Sequence, residues 1–264
     1  MKQTHKQAGN LPGDFLPFQF TLPFFMLPKA LIKSGNHMLM VYEGEGDYHG
    51  EGGGARVIHY AAIGDSLTAG VGGLLGGGFV PKYGWLIQER LGQPVYYDKM
   101  GISGARMPRI LSVVRHDPKA RAILGNADII TLTVGGNDMV DAARAFAVHR
   151  NEEVFSEALT SCRKNFAGIL AVIRQLKSGS KPYLIRAVDL YNPTPSQPEA
   201  GLWVRRFNSQ LESFEDGNLK VANIYNSFLG RERELLWLDH FHPNGRGYSV
   251  IAEELDKQGY GPLA

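Results

Sequence analysis

Cysteine is nearly absent from this chain of 264 residues, with Cys162 as the single instance. One cysteine closes no internal disulfide, so there is no disulfide framework and no sign of an oxidising compartment. Cys162 shares a helical stripe with Phe155, Leu159, Phe166 and Ile169. That makes it a small core residue rather than a catalytic thiol, since nothing nearby supplies an electropositive setting. An excess of one charge is also lacking: 28 Lys and Arg face 26 Asp and Glu, for a net charge of +2. A nucleic-acid binder concentrates its basic residues in a patch, so nucleic acid is not an expected partner. No uninterrupted apolar run reaches the roughly 18 residues of a membrane-spanning helix. No G-x-x-x-x-G-K-S/T loop occurs, and the glycines after Gly70 lack the context of a dinucleotide-binding turn. There is no internal repeat.

The chain that remains is ordinary in apolar content, at 44%, and long enough to bury a sizeable core. Its first part differs from the rest. Lys2 and Lys6 precede a largely apolar stretch from Leu11 to Ile32, the layout of a secretion signal. Asp14 and the prolines Pro12, Pro17, Pro23 and Pro28 interrupt it, and no small-x-small cleavage site follows, so secretion is not the expectation. The prolines argue against a regular helix or a central strand, and the glycines from Gly44 to Gly54 read as a flexible linker. Residues 1–55 are therefore expected to be an irregular extension with a Gly-rich linker, and residues 56–264 the folded domain.

From Arg56 onward, apolar runs of strand length alternate with helical patterns. Val57–Ile63, Val95–Asp98, Ala127–Val134, Tyr183–Val188 and Leu219–Ile224 read as strands, with the β-branched Ala127–Val134 run the clearest. Pro81–Leu91, Arg109–Val114, Lys119–Leu124, Glu152–Lys177, Leu202–Phe214 and Asn244–Lys257 read as helices. Such alternation predicts βαβ units and a three-layer α/β/α domain with a parallel sheet. Ligands of these sheets bind beyond the carboxyl ends of the strands, so the informative residues follow each strand.

Three segments meet that condition, and a fourth precedes the last helix. Gly64-Asp65-Ser66-Leu67 follows the first strand, where Ser66 is either a nucleophile held at the sheet edge or part of a helix cap. Gly101-Ile102-Ser103-Gly104-Ala105 follows the second; it is a plain turn or a backbone donor site, with Ser103 a rival nucleophile. Gly135-Gly136-Asn137-Asp138 follows the strongest strand and places a side-chain amide at the same mouth, or simply caps a helix. Asp239-His240-Phe241-His242-Pro243-Asn244 precedes the last helix. There Asp239 can orient His242 through its imidazole, while Asp239, His240 and His242 as a zinc cluster would need a second ligand group that is not apparent. Together the four supply a nucleophile, oxyanion donors and an Asp–His pair at one edge of the sheet, the set that nucleophilic ester hydrolysis requires.

The set G-D-S-L, I-S-G, G-G-N-D and D-x-x-H-P-N, in that order across residues 56 to about 258, resembles the SGNH, or GDSL, hydrolase family. The resemblance implies a flavodoxin-like sheet, a triad of Ser66, Asp239 and His242, and an oxyanion hole made by Ser66, Gly104 and Asn137. It implies cleavage of carboxylic esters through an acyl-enzyme without metal or organic cofactor. Many members carry Asn before the second block, where this chain has Lys99-Met100, and residues 1–55 lie outside the family pattern. The stretch from Ser66 to Pro81 is also similar to bacterial spore-germination lipases. The expected substrate is a small-molecule or lipid ester, as for a lipase, esterase or lysophospholipase. A carbohydrate acetyl esterase or acyl thioesterase is the alternative, and a non-catalytic lipid- or ligand-binding module the distant one. The expected location is cytoplasmic or spore-associated. The apolar N-terminal segment is a candidate for lipid-surface contact, against packing on the outer face of the domain.

Overall fold

The computed structural model describes residues 30–34, 37–43, 56–74, 77–179 and 181–264; most of the apolar N-terminal stretch lies outside the described residues. Two short strands come first, β1 (Ala30–Ser34) and β2 (His37–Glu43). β3 (Ile58–Gly64) runs into the short helix α1 (Ser66–Ala69), then α2 (Phe79–Leu91), β4 (Val95–Gly101), α3 (Met107–His116) and α4 (Pro118–Asn126). β5 (Ile129–Thr133) leads to α5 (Gly136–His149) and the long α6 (Glu153–Leu176). β6 (Leu184–Val188), α7 (Pro198–Glu212), β7 (Leu219–Ala222), α8 (Ile224–Phe228), α9 (Glu232–Leu235) and α10 (Gly245–Asp256) complete the order.

The sheet order is β1-β2-β4-β3-β5-β6-β7. From β2 to β7 every neighbouring pair is parallel; β1 alone runs antiparallel, to β2. The five strands from β3 onward follow the flavodoxin order, second-first-third-fourth-fifth, as expected from the alternation of strands and helices. Side-chain period 2 splits the core in two. Ala61 and Ile63 of β3 face a layer built by α3, α5, α6 and α7, while Tyr60 and Ala62 face α2, α8 and α10. Cys162 lies on the inward stripe of α6 beside Phe166 and Ile169, and burial pushes its thiol up to about 12. It is a core residue.

Three differences from the sequence reading have physical reasons. The expectation of irregular structure through residue 55 does not hold for β1 and β2. The prolines end at Pro28, and β2 meets the free edge of β4 through Tyr42↔Tyr96 and Glu43↔Tyr97. β4 continues past Asp98 to Gly101 because its register with β3, from Ala61↔Asp98 to Gly64↔Gly101, holds weak strand formers in place. Helix α5 went unanticipated because Gly135-Gly136 reads as a turn, yet the Ala-rich run behind it is a strong helix former.

Candidate active site

The carboxyl ends of β3 and β5 stand side by side, and two of the four segments emerge there. Gly64 makes this approach possible: a Cβ on it would lie 2.1 Å from Thr133 Oγ1 and 2.4 Å from the Thr133 carbonyl oxygen. Asp65 then caps α1. Its carboxylate accepts from the Leu67 N–H at 3.0 Å and the Thr133 hydroxyl at 2.9 Å. Thr133 Oγ1 also lies 2.8 Å from Thr68 Oγ1. The three side chains are buried, and burial pushes the Asp65 carboxyl up to about 6, against the lowering effect of the Leu67 and Thr133 hydrogen bonds and of nearby His242. Ser66 occupies the first helical position, where an N–H has no intrahelical partner, and it finds none elsewhere among the described residues.

Ile102 continues the strand pairing by donating its N–H to the Gly64 carbonyl at 2.9 Å. The next turn closes with Ala105 N–H on the Ile102 carbonyl, and Gly104 takes φ +76° within it, a backbone region open to glycine. Among the described residues the Gly104 N–H has no acceptor either. Asn137 stands in the first turn of α5. Its Nδ2 donates to the Ala105 carbonyl at 2.9 Å, which ties α5 to the Gly104 turn and uses one of the two amide hydrogens.

Asp239-to-His242 is a turn pinned by Trp237 N–H on the His242 carbonyl and by a bridge between Leu236 and Pro243. His240 takes φ +53° there, a conformation histidine tolerates better than most residues. Three donors converge on Asp239: Phe241 N–H at 3.0 Å, His242 N–H at 2.9 Å and His242 Nδ1 at 2.6 Å. Partial burial raises its pKa, but these hydrogen bonds outweigh it and hold the carboxyl below the usual aspartate value. With Nδ1–H donating to Asp239, Nε2 is left as an acceptor, and the Ser66 hydroxyl lies 3.0 Å from it. Ser66, His242 and Asp239 thus form one hydrogen-bonded line between the first and last segments. Ser103 and His240 are exposed and stand outside it. Among the described residues no group of three or more His, Cys, Asp or Glu side chains could hold a metal ion.

Sequence reasoning missed several parts of the site. Asp65 reads as a cap and is also the buried partner of Thr133. Asn244 caps α10 and donates through Nδ2 to the Glu234 and Leu236 carbonyls, fastening the histidine turn. Tyr191, after β6, donates its hydroxyl to the Phe241 carbonyl. Asn244 before a helix is a legible cap signal; the Tyr191 contact spans 50 positions and has no local signal. A cavity of about 790 Å³ opens from Ser66 and Asn137 along α5 toward Phe155 and Trp203.

The model of the GDSL-like Lipase/Acylhydrolase family matches residues 62–250. The chain is 40% identical over 210 residues to the spore germination lipase LipC of Bacillus licheniformis, covering 78% of this chain and 98% of that protein. Among solved structures it is similar to the lipase Lip_vut3 from a goat rumen metagenome, with a TM-score of 0.75 and 39% identity over 78% of this chain and 100% of that one. Axe2, an acetylxylan esterase from Geobacillus stearothermophilus, shares the fold alone: TM-score 0.52 and 17% identity, over 77% of this chain and 94% of that one. The chain belongs to the GDSL-like lipase/acylhydrolase family and is a serine ester hydrolase.

Proposed function

We propose that Ser66 is the nucleophile of this hydrolase, His242 its general base and acid, and Asp239 the residue that orients His242. The observation that carries this is the continuous line from Asp239 Oδ2 through the imidazole to Ser66 Oγ, with steps of 2.6 Å and 3.0 Å. Ser66 Oγ attacks the ester carbonyl carbon while Nε2 takes its proton, and Asp239 stabilises the imidazolium. The carbonyl oxygen gains negative charge and accepts from the Ser66 N–H, the Gly104 N–H and the remaining Asn137 amide hydrogen. The two unpaired backbone donors support that role. The tetrahedral species collapses, Nε2–H protonates the leaving alcohol, and an acyl-serine remains. Water then attacks it as His242 accepts a water proton, and His242 returns that proton to Ser66 Oγ as the acyl–oxygen bond breaks and the free acid leaves.

The apolar lining of the cavity supports a lipid or fatty ester, as for a lipase, esterase or lysophospholipase. The likeness to a spore germination lipase supports a spore-associated setting. Residues 56–264 form the catalytic domain on this reading, and residues 1–55 lie outside the chemistry; the apolar composition of the N-terminal stretch supports contact with a lipid surface or packing on the outer face of the domain. A serine-directed organophosphonate tests the assignment. It should modify Ser66 in the wild-type chain, and Ser66→Ala should abolish both labelling and ester turnover while the melting temperature holds. Labelling of Ser103 instead would overturn it.

A further inference from the structure

The cavity has a direction. Ser66 and Asn137 line its near end, whereas His242 does not line it. The leaving alcohol must sit against Nε2, because that atom protonates it, so the part of the ester that enters the cavity is the acyl group. We infer that the groove along α5 is an acyl-chain channel that measures chain length, with Ala143 and Ala147 as its specificity-determining positions; this rests on Ser66 being the nucleophile.

The wall is built at helical spacing. Met139, Val140, Ala143, Phe146 and Ala147 of α5 present one face. The floor is aromatic: Phe155 and Trp203 stack at 4.7 Å with planes 13° apart, and Phe146 meets Phe155 at 5.6 Å. Phe155 and Trp203 are buried, while Ala143 and Ala147 are exposed to the groove with no side chain beyond Cβ. Alanine one turn apart leaves the width a polymethylene chain needs. At the far end the Arg150 guanidinium lies over the Phe146 ring, 6.0 Å from its centroid, and both Arg144 and Arg150 add charge to the lining.

The length follows from helix geometry. Asn137 to Ala147 is ten positions, about 15 Å at 1.5 Å per residue. A carbon chain with bonds of about 1.5 Å at near-tetrahedral angles advances about 1.25 Å per atom, so the channel holds roughly twelve carbons. Ala143 lies about 9 Å along, at roughly the seventh carbon.

The test uses the full chain and p-nitrophenyl esters from acetate to palmitate. For the wild type, kcat/KM should rise to about C10–C12 and then level or fall. A half-exposed methylene in such a groove contributes roughly twofold, so Ala143→Trp, which blocks the path for the last five carbons, should lower the laurate-to-acetate ratio about 30-fold. Ala147→Trp, at the exposed end of α5, should act only on chains longer than laurate, which keeps the idea testable should Ala143→Trp fail to fold. A wild-type profile that falls from acetate onward, or ratios that neither variant changes, overturns the channel. Acetates of lengthening alcohols should give ratios insensitive to both variants; sensitivity there would put the alcohol in the groove and overturn the acyl assignment. Loss of all turnover in Ser66→Ala is read separately and tests the nucleophile, not the channel.

Discussion

Replacing Asp239 by Asn changes the chemistry of the site while preserving its shape. The asparagine Oδ1 can still accept from the Phe241 and His242 N–H groups, which reach Asp239 at 3.0 Å and 2.9 Å, so the turn is retained. The other atom becomes an NH₂ donor 2.6 Å from Nδ1 of His242, where a donor already stands. Two donors cannot share one hydrogen bond, so the imidazole moves its proton to Nε2 and accepts at Nδ1. Nε2–H then faces the Ser66 hydroxyl and cannot take its proton. The same substitution in a chymotrypsin-type triad costs about 10⁴ in kcat, or about 5.4 kcal/mol of transition-state stabilisation. The cost to folding is smaller, below about 1 kcal/mol, because the Asp239 side chain is 34% exposed and water screens the lost charge. Asp239→Asn should therefore lower kcat on p-nitrophenyl acetate by three to four orders of magnitude, about as much as the tautomer argument requires, and leave the thermal melt nearly in place. A kcat within tenfold of wild type would refute the reasoning, because the imidazole would then hold its productive tautomer without Asp239.

Three further outcomes can be checked. On the proposed mechanism Asn137→Ala removes one oxyanion donor together with the tie to the Ala105 carbonyl; kcat should fall about 10²–10³ with KM little changed, whereas a lowered melting temperature with normal kcat would reduce Asn137 to a turn residue. Asp65→Asn replaces the buried carboxyl that caps α1 with a neutral amide. The folded state holds the Asp65 proton more tightly than the unfolded chain does, so wild-type stability should fall relative to the variant as pH rises from the ordinary aspartate value of 3.8 to about 6; denaturant melts across that window read the sign. A chain of residues 56–264 should keep hydrolysing short soluble esters and self-associate with concentration, because the β4 edge that β2 covers is then free to pair; equilibrium sedimentation reports the association, and loss of folding would place residues 1–55 in the core.

The sequence by itself determined the parts whose signal is local. Five short β-branched or apolar runs alternating with amphipathic stretches imply a parallel sheet, since side-chain period and crossover length are properties of the chain. The same holds for residues that follow strands: Ser66, Gly104 and Asn137 were legible at the sheet edge, and Asp239 lies three residues before His242. Only the tertiary structure decided what depends on distant pairing. Ser66 and His242, 176 positions apart, close to a 3.0 Å contact through the order of the sheet, which no window of sequence contains. Asp65 became a buried partner of Thr133 because Gly64 lets β3 and β5 touch. Residues β4 gained beyond Asp98 are held by register with β3, and β2 by the edge of β4, against local preferences for irregular backbone. Helix α5 carries the same lesson into the cavity beside Ser66. Its glycines conceal its start, and its Ala143 and Ala147 share a cavity with Phe155 and Trp203, which α6 and α7 bring there across the fold.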